Sequence, residues 1–181
     1  MTYYPAHLFK SERLGFRNWK EDDLESFTAL NMDPEVMEFF HAIATREKTQ
    51  IFMERMRLLF LEKGYCYFAV ERLDTKAFIG FIGLAEPLYT AAFTPCVDIG
   101  WRLKKSEWNN GFATEGALRC LQYAFEDLKL DRIVSTAPLV NKKSQHIMHK
   151  IGMKKQGEFD HPLLLHDERL KRCVLYAKKR I

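Results

Sequence analysis

The chain has 181 residues, of which 47% are hydrophobic and 29% are charged, and its formal net charge is +4. A chain of this length usually forms a single domain, so we predict one domain over residues 1–181 with a sizeable core. No apolar stretch approaches the ~20 residues of a membrane-spanning helix, and Met1 to Lys10 lack the basic start and apolar run of a secretory signal. We therefore expect neither a membrane partner nor export.

The basic residues and the cysteines narrow the function further. Lysine and arginine form separate doublets without interleaved aromatic residues or a recognised binding motif, so we expect no nucleic-acid partner. No metal-ligand spacing and no CxxC pair is present, so we expect neither a metal nor a disulfide. Cys66, Cys120 and Cys173 lie in or beside predicted strands and helices, which is typical of buried thiols in a reducing compartment. The cytoplasm is the expected location.

The first half of the chain alternates between apolar-periodic segments and turn residues. Hydrophobic periodicity predicts a strand from Leu8 to Asn18, helices from Glu21 to Leu30 and from Thr49 to Lys63, and strands from Cys66 to Arg72 and from Phe78 to Leu84. Asp33-Pro34 breaks the chain after the first helix, and Gly64 ends the second. Residues 86–95 are predicted to form a loop.

The second half begins with a clear strand signal. Val97, Ile99, Trp101 and Leu103 alternate with polar or small residues, which is the period of two of a β-strand. The remaining predicted elements are a helix from Ala113 to Leu128, a strand from Arg132 to Thr136, a short helix after Asn141, and strands from Met153 to Phe159 and from Arg172 to Lys179. This order predicts one α/β domain.

The loop from Trp108 to Gly116 leads from a predicted strand into a predicted helix. Such a loop leaves main-chain N–H groups free at the positive end of the helix, where a phosphate can bind. Gly111 and Ala113 allow close approach of a diphosphate to the main chain. Gly111 and Gly116 have the spacing of a Walker loop, but the required Lys and Ser/Thr are absent. The loop also fits the dinucleotide fingerprint poorly, so we predict a pyrophosphate cradle.

A second candidate segment follows the strand at Arg132–Thr136. Ser144, Ile147, Met148 and Ile151 recur at helical spacing, so the serine shares the apolar, sheet-facing side of a short helix. Asn141 is a good N-cap, and Gly152 is a good residue to end the helix. The serine hydroxyl either has a chemical role or bonds a nearby carbonyl group, and the pattern leaves both interpretations open.

Five motifs occur in a fixed order along almost the whole chain. They are S-E-R-L-x-x-R from Ser11 to Arg17, D-I-G-W-R-L from Asp98 to Leu103, W-N-N-G-F-A-T-E-G-A from Trp108 to Ala117, N-x-x-S followed by K-x-G-M from Asn141 to Met153, and F-D-H-P from Phe159 to Pro162. Together they resemble the GNAT superfamily of acetyl-CoA-dependent N-acetyltransferases. Within it they resemble the branch that acetylates the N-termini of ribosomal proteins.

The resemblance implies a fold and a cosubstrate. The expected fold is a mixed, mostly antiparallel central sheet that splays open near its middle and is flanked by about four helices. Acetyl-CoA is the expected cosubstrate, with its pantetheine arm along the strand at Trp101, Arg102 and Leu103. The diphosphate is expected on the cradle residues, which are Asn109, Asn110, Gly111, Phe112, Ala113 and Thr114. Asn141 and Ser144 are expected beside the arm and its sulfur.

The resemblance also implies acetyl transfer to a primary amine, and the residues offer several catalytic candidates. Many superfamily members have a tyrosine acid at the position of Met148, so Ser144 is the remaining candidate for the leaving thiolate. Asp98 is one candidate base, although it could equally pair with Arg102 on the same strand face. Glu86 is a second candidate, and His161 is a third because histidine titrates near neutral pH. We expect Glu86 and His161 on the acceptor side.

The acceptor is not legible in the sequence. A small-molecule amine and a peptide N-terminus both stay open as the acceptor, and a homodimer stays open as the assembly. An alternative from another class is a non-catalytic domain that senses acyl-CoA, which would keep the cradle but would not need Ser144. The intact pair of Asn141 and Ser144 favours an enzyme.

Overall fold

The computed structural model describes residues 6–180. The first five residues of the Met1 to Lys10 segment, which was interpreted as lacking a secretory signal, lie outside the described residues. The described part contains four α-helices: α1 (Asp23–Met32), α2 (Arg46–Lys63), α3 (Phe112–Gln122) and α4 (Lys142–Lys150). It contains eight strands: β1 (Phe9–Lys10), β2 (Leu14–Arg17), β3 (Tyr67–Arg72), β4 (Phe78–Ala85), β5 (Val97–Leu103), β6 (Arg132–Pro138), β7 (Lys154–Asp160) and β8 (Arg172–Lys179).

The eight strands form one open sheet in the order β1-β2-β3-β4-β5-β6-β8-β7. Every neighbouring pair is antiparallel except β5 and β6, which run parallel. The parallel pair is also the shortest of the central pairings, because only Val97 with Ile133 and Asp98 with Val134 are in register. The two strands then part, so the predicted α/β fold with a mixed, splayed sheet is confirmed.

The helices cover the two faces of the sheet. On one face Phe27 of α1 and Phe52 of α2 pack on Phe81 of β4, with ring centroids 6.0 and 5.4 Å apart. On the other face α3 lies so close to β4 that a Cβ on Gly116 would clash with Ile82. Met148 and Ile151 at the end of α4 are buried in the same core. The sheet is therefore covered on both sides, and the parting of β5 and β6 opens between the two layers.

Several predicted bounds differ from the structure. The predicted strand from Leu8 to Asn18 is wrong, because this segment forms two short strands, β1 and β2, joined by a tight turn. In this turn Ser11 N–H donates to the Leu14 carbonyl at 2.9 Å. Helix α2 begins three residues earlier than predicted, since the hydroxyl of Thr45 caps it by accepting from Lys48 N–H. The predicted third helix ends as α-helix at Gln122 and continues as a π-helical turn over Tyr123–Asp127.

The cysteines lie where the sequence predicted them. Cys66, Cys120 and Cys173 are buried, and no cysteine of the chain is in a disulfide. No helix within residues 6–180 combines the length and the apolar character that crossing a bilayer requires.

Candidate active site

The parting of β5 and β6 leaves main-chain groups of β5 without a partner strand. Lys104 N–H donates to the Ile79 carbonyl of β4 at 2.9 Å, so the even-numbered residues of β5 pair with β4 and the odd-numbered ones point towards β6. Ser135 confirms this direction, because its buried hydroxyl donates to the Ile99 carbonyl at 2.9 Å. Beyond that bond the N–H groups of Trp101 and Leu103 face an open gap.

The predicted cradle lies at the wide end of this gap, at the start of α3. Gly111 caps the helix with a positive φ of 81°, and Asn109 also has a positive φ of 62°. Asparagine tolerates this left-handed conformation better than most residues, so Asn109 can form the turn without a glycine. The first N–H groups of α3 have no acceptor within the helix, and these are the donors that bind anions at helix N-termini.

Three side chains, those of Ser11, Arg13 and Glu115, fix the cradle to the β1–β2 hairpin. Glu115 accepts from the hydroxyl of Ser11 at 2.7 Å, from Arg13 N–H at 2.8 Å and from Arg13 Nε at 2.7 Å. Arg13 Nη1 donates to the Asn110 carbonyl at 3.0 Å. Burial opposes ionisation of Glu115, but its bonds with Ser11 and Arg13 hold its pKa below the usual value. The hairpin motif and the cradle motif are thus one structural unit.

Helix α4 borders the gap from the β6 side. Asn141 Oδ1 accepts from Ser144 N–H at 3.0 Å, which confirms Asn141 as the N-cap. The half-buried hydroxyl of Ser144 has no protein partner within residues 6–180. Lys143 Nζ lies 4.8 Å from the centre of the Trp108 ring, so the start of α4 contacts the loop before the cradle. Cradle and serine therefore border the same gap.

Asp98 lies on the opposite face of β5, the face covered by α1 and α2. It does not pair with Arg102, so that interpretation is wrong: Asp98 Oδ1 instead accepts from the hydroxyl of Tyr67 at 2.6 Å. Burial raises the pKa of Asp98 to about 6, although the bond from Tyr67 opposes the increase. A carboxyl group with this pKa is ionised at neutral pH and has a basicity suited to general-base catalysis.

Glu86 and His161 are less well prepared to accept a proton. Glu86 is about half exposed and accepts from the Tyr65 hydroxyl at 2.9 Å. His161 Nδ1 accepts from Leu163 N–H at 3.2 Å, which uses the nitrogen that a base would need. The ring of His161 packs on Tyr89, with centroids 4.2 Å apart. Burial raises the pKa of Tyr89 to about 12, and the nearby charge of Asp98 adds to the increase. Tyr89, in the loop that begins at Glu86, therefore lies near both His161 and Asp98.

Tyr67 and Arg102 lie on the α1–α2 face, where the sequence analysis did not place them. Tyr67 belongs to β3, two strands away from Asp98, and only the register of the sheet brings the two residues together. Arg102 was grouped with Trp101 and Leu103, but its main chain pairs with Phe81 of β4. Its guanidinium contacts Asn31 of α1, with Arg102 Nη1 donating to Asn31 Oδ1 at 2.7 Å. The alternation of β5 would have indicated the face of Arg102.

Within the described residues, no three His, Cys, Asp or Glu side chains lie close enough together to hold a metal ion.

Comparisons with known proteins agree with this geometry. Residues 13–154 match the family described as the acetyltransferase (GNAT) domain. The match spans most of the chain, including strand β2 of the hairpin, the cradle and the serine helix. The chain therefore belongs to the GNAT acetyltransferase family, and the resemblance found in its motifs is confirmed.

Individual relatives support the family assignment. The chain is 28% identical over 155 residues to "Uncharacterized N-acetyltransferase YoaA" of Bacillus subtilis, covering 83% of this chain and 84% of the relative. A GNAT-family acetyltransferase structure from Bacillus anthracis is 27% identical and superposes with a TM-score of 0.77, covering 94% of this chain and 96% of that one. A spermidine N-acetyltransferase from Vibrio cholerae, solved with CoA and spermine, shares the fold at 19% identity with a TM-score of 0.73, covering 92% and 95%.

Proposed function

We propose that this chain transfers the acetyl group of acetyl-CoA to a primary amine by direct attack on the thioester. The observation that carries the proposal is the gap between β5 and β6, where unpaired N–H groups of β5 lead to a helix N-terminus built for a diphosphate. A domain that serves only as an acyl-CoA sensor would need the cradle but not a basic carboxyl group with a pKa of about 6 on the other face of β5.

The residues around the gap fit the chemical groups of acetyl-CoA. The diphosphate would bind the cradle residues Asn109, Asn110, Gly111, Phe112, Ala113 and Thr114. Trp101 and Leu103 would donate main-chain hydrogen bonds to the pantetheine arm, in the manner of an added strand. Asn141 would hold the arm from the other side through its free Nδ2. When bound, acetyl-CoA supplies a thioester whose carbonyl carbon accepts the amine as the C–S bond breaks.

The catalytic roles follow from the placement of three side chains. Asp98 would take the proton of the attacking amine, directly or through a water molecule. Its carboxylate lies on the face of β5 that α1 and α2 cover, which we call the acceptor face because we propose that the amine binds there. Tyr67 would hold that carboxylate in place. Ser144 would donate a hydrogen bond to the departing thiolate from the opposite side of the gap. Main-chain N–H groups of β5 would stabilise the negative charge on the carbonyl oxygen.

The acceptor is proposed to be an α-amine of a peptide or a small molecule. An α-amine has a pKa near ~7.7, whereas a lysine side chain has one near ~10.4. At neutral pH a much larger fraction of the α-amine is therefore neutral and able to attack. The resemblance to the ribosomal-protein branch supports the same preference, although the spermidine N-acetyltransferase with this fold acts on a polyamine.

The direct test is release of free thiol from acetyl-CoA in the presence of a panel of amines. We expect turnover with at least one primary amine, and mass spectrometry of a peptide carrying both amine types should find acetyl groups mainly on the α-amine. Acetyl groups mainly on lysine would contradict the α-amine preference alone. Binding of acetyl-CoA without thiol release on any amine would favour the sensor. Free buried thiols support a cytoplasmic location, and a homodimer stays a prediction for sedimentation analysis.

A further inference from the structure

Arg102 is a cation on the acceptor face of β5 that has no carboxylate partner. Its guanidinium lies between two rings, 4.0 Å from the centre of Phe40 and 5.3 Å from the centre of Phe81. Its only hydrogen bond within residues 6–180 goes from Nη1 to the amide oxygen of Asn31. Arg102 Nε is buried and has no partner at all. Most other arginines within residues 6–180 form ion pairs, so Arg102 is unusual.

The surroundings of Arg102 offer it no negative charge. Asn31 is a neutral amide, held in this orientation because its Nδ2 donates to the buried hydroxyl of Thr49 at 3.0 Å. Asp98, two side chains away on the same face of β5, is bonded by Tyr67 instead. Burial lowers the pKa of Arg102 to about 10, which still leaves it charged at neutral pH. A poorly solvated charge of this kind costs free energy unless an anion accompanies it.

We propose that Arg102 binds a carboxylate group of the acceptor, so that the preferred substrate is an amine that also carries a carboxylate. This inference rests on the proposed acetyl transfer and deepens it by naming the substrate class. The guanidinium offers planar donors at Nε and Nη2, which is the geometry that carboxylates bind. Arg102 is half-buried, and the ring of Phe40 that covers it is 42% exposed, so a small ligand would reach the buried Nε by displacing this ring.

The position of Arg102 relative to Asp98 limits the shape of the acceptor. The two residues are four positions apart on β5, on the same face, with Gly100 between them. A strand rises about 3.3 Å per residue, so their Cα atoms are separated by roughly 13 Å. The ring of Tyr67 lies over Gly100 between them, so the acceptor would extend past this ring, with its amine near Asp98 and its carboxylate towards Arg102. The site therefore favours acceptors in which several bonds separate the amine from the carboxylate.

The test uses matched acceptors that differ only at the carboxyl group. Peptides of increasing length, in which the α-amine and the terminal carboxylate lie progressively further apart, are each compared with their own C-terminal carboxamide. The value of kcat/KM is measured for both with the wild-type protein, Arg102→Gln and Asn31→Asp. We expect the wild type to prefer the carboxylate over the carboxamide by at least tenfold for one chain length. Arg102→Gln should reduce this preference to near unity. Asn31→Asp should do the same with Arg102 intact, because it supplies an internal carboxylate.

The decisive quantity is the change in the carboxylate-to-carboxamide ratio of kcat/KM from the wild type to each variant. This change is independent of partial unfolding, and the difference in amine basicity between the two acceptors cancels in it. Arg46→Gln is the control, since Arg46 is an exposed arginine of α2 paired with Glu25, and it should leave the preference unchanged. An equal preference in the wild type and in Arg102→Gln would overturn the proposal while leaving acetyl transfer intact. If no amine of the panel caused thiol release, the proposed function itself would be contradicted.

A binding measurement tests Arg102 without any turnover. Calorimetry compares an N-acetylated peptide with its C-terminal carboxamide on the wild type and on Arg102→Gln, each in the presence of CoA. Tighter binding of the carboxylate, lost in Arg102→Gln, would support the proposal. Equal affinities for the carboxylate and the carboxamide on the wild type would contradict it.

Discussion

Asp98 differs from Glu86, the other acidic candidate, in its burial: both carboxylates accept a hydrogen bond from a tyrosine hydroxyl, but only that of Asp98 is poorly solvated. The pKa of about 6 in the folded protein lies above the ordinary value of 3.8. The native state therefore binds a proton that the unfolded chain releases, between about pH 4 and pH 6. Stability from this group falls as pH rises through that window. The raised pKa of Asp98 therefore lowers stability at neutral pH and also makes its carboxylate more basic.

The pH dependence of kcat tests the role of Asp98. We expect kcat to fall below about pH 6, because protonated Asp98 cannot accept the proton of the amine. Tyr67→Phe should move this limb to higher pH, since the lost hydrogen bond is what lowers the pKa of Asp98. Asp98→Asn should remove the limb and reduce kcat by about 10²–10⁴-fold. Stopped assays at saturating acceptor measure all three profiles.

Glu86→Gln provides the control for these profiles, because Glu86 is exposed and bonded by Tyr65. It should leave the acidic limb in place. A limb that persists in Asp98→Asn and disappears in Glu86→Gln would transfer the role of base to Glu86.

Ser144 is a separate test at the scale of one residue. We expect Ser144→Ala to lower kcat by about ten- to a hundredfold with little change in the affinity for CoA, because the hydroxyl acts as negative charge develops on sulfur. Turnover assays and calorimetric titration with CoA measure the two effects. Ser144→Thr is the matched variant, since it restores a hydroxyl and should recover part of kcat. Unchanged kcat with weakened CoA binding would make Ser144 a cofactor anchor only.

Helix α3 carries the cradle at its N-terminus, so the charge at that end determines cofactor affinity. Gly111→Asp places a negative side chain beside the diphosphate and should weaken acetyl-CoA binding by at least tenfold, about 1.4 kcal/mol. Gly111→Asn is the matched control, because it has the same shape and tolerates the φ of 81° without the charge. Calorimetry on both folded variants isolates the electrostatic effect. Equal affinities of the Asp and Asn variants would contradict the cradle assignment.

Elements with regular local patterns could be predicted from the sequence. The alternation of Val97–Leu103 gives the bounds of β5, and the Asn141 cap and Gly152 give those of α4. The β1–β2 hairpin was missed because its turn is made by Ser11, Glu12 and Arg13, without glycine or proline. Local patterns carry little information about such a turn, which is held by Glu115 from a distant helix.

The sequence predicted the parts of the site that are short continuous segments, but not the parts that form by contact between distant residues. The cradle and the serine helix are continuous segments, so their residues could be named from the motifs. Tyr67 and Asn31 reach their partners only through strand register and helix packing. Their side chains carry no local signal for this role. The interpretation of Asp98 as a partner of Arg102 failed for the same reason, since shared strand face does not reveal a closer partner on β3.

At the scale of the whole molecule, the sheet separates two sets of contacts. The cradle and Ser144 lie towards the α3 and α4 side, whereas Asp98, Tyr67 and Arg102 lie on the side of α1 and α2. In the proposed reaction the two substrates therefore approach the gap from opposite faces. Each can bind without displacing the other, which predicts a ternary complex before acetyl transfer rather than an acetylated enzyme.

The gap between β5 and β6 also has a narrow end, where Asp98 and Val134 are still in register. A donor whose diphosphate rests on the cradle at the wide end points its acyl group towards this junction. In this proposed binding mode a long fatty chain would meet hydrogen-bonded main chain. The sheet itself would then limit the length of the acyl group, and because the barrier is backbone, trimming a single side chain would not lengthen the space.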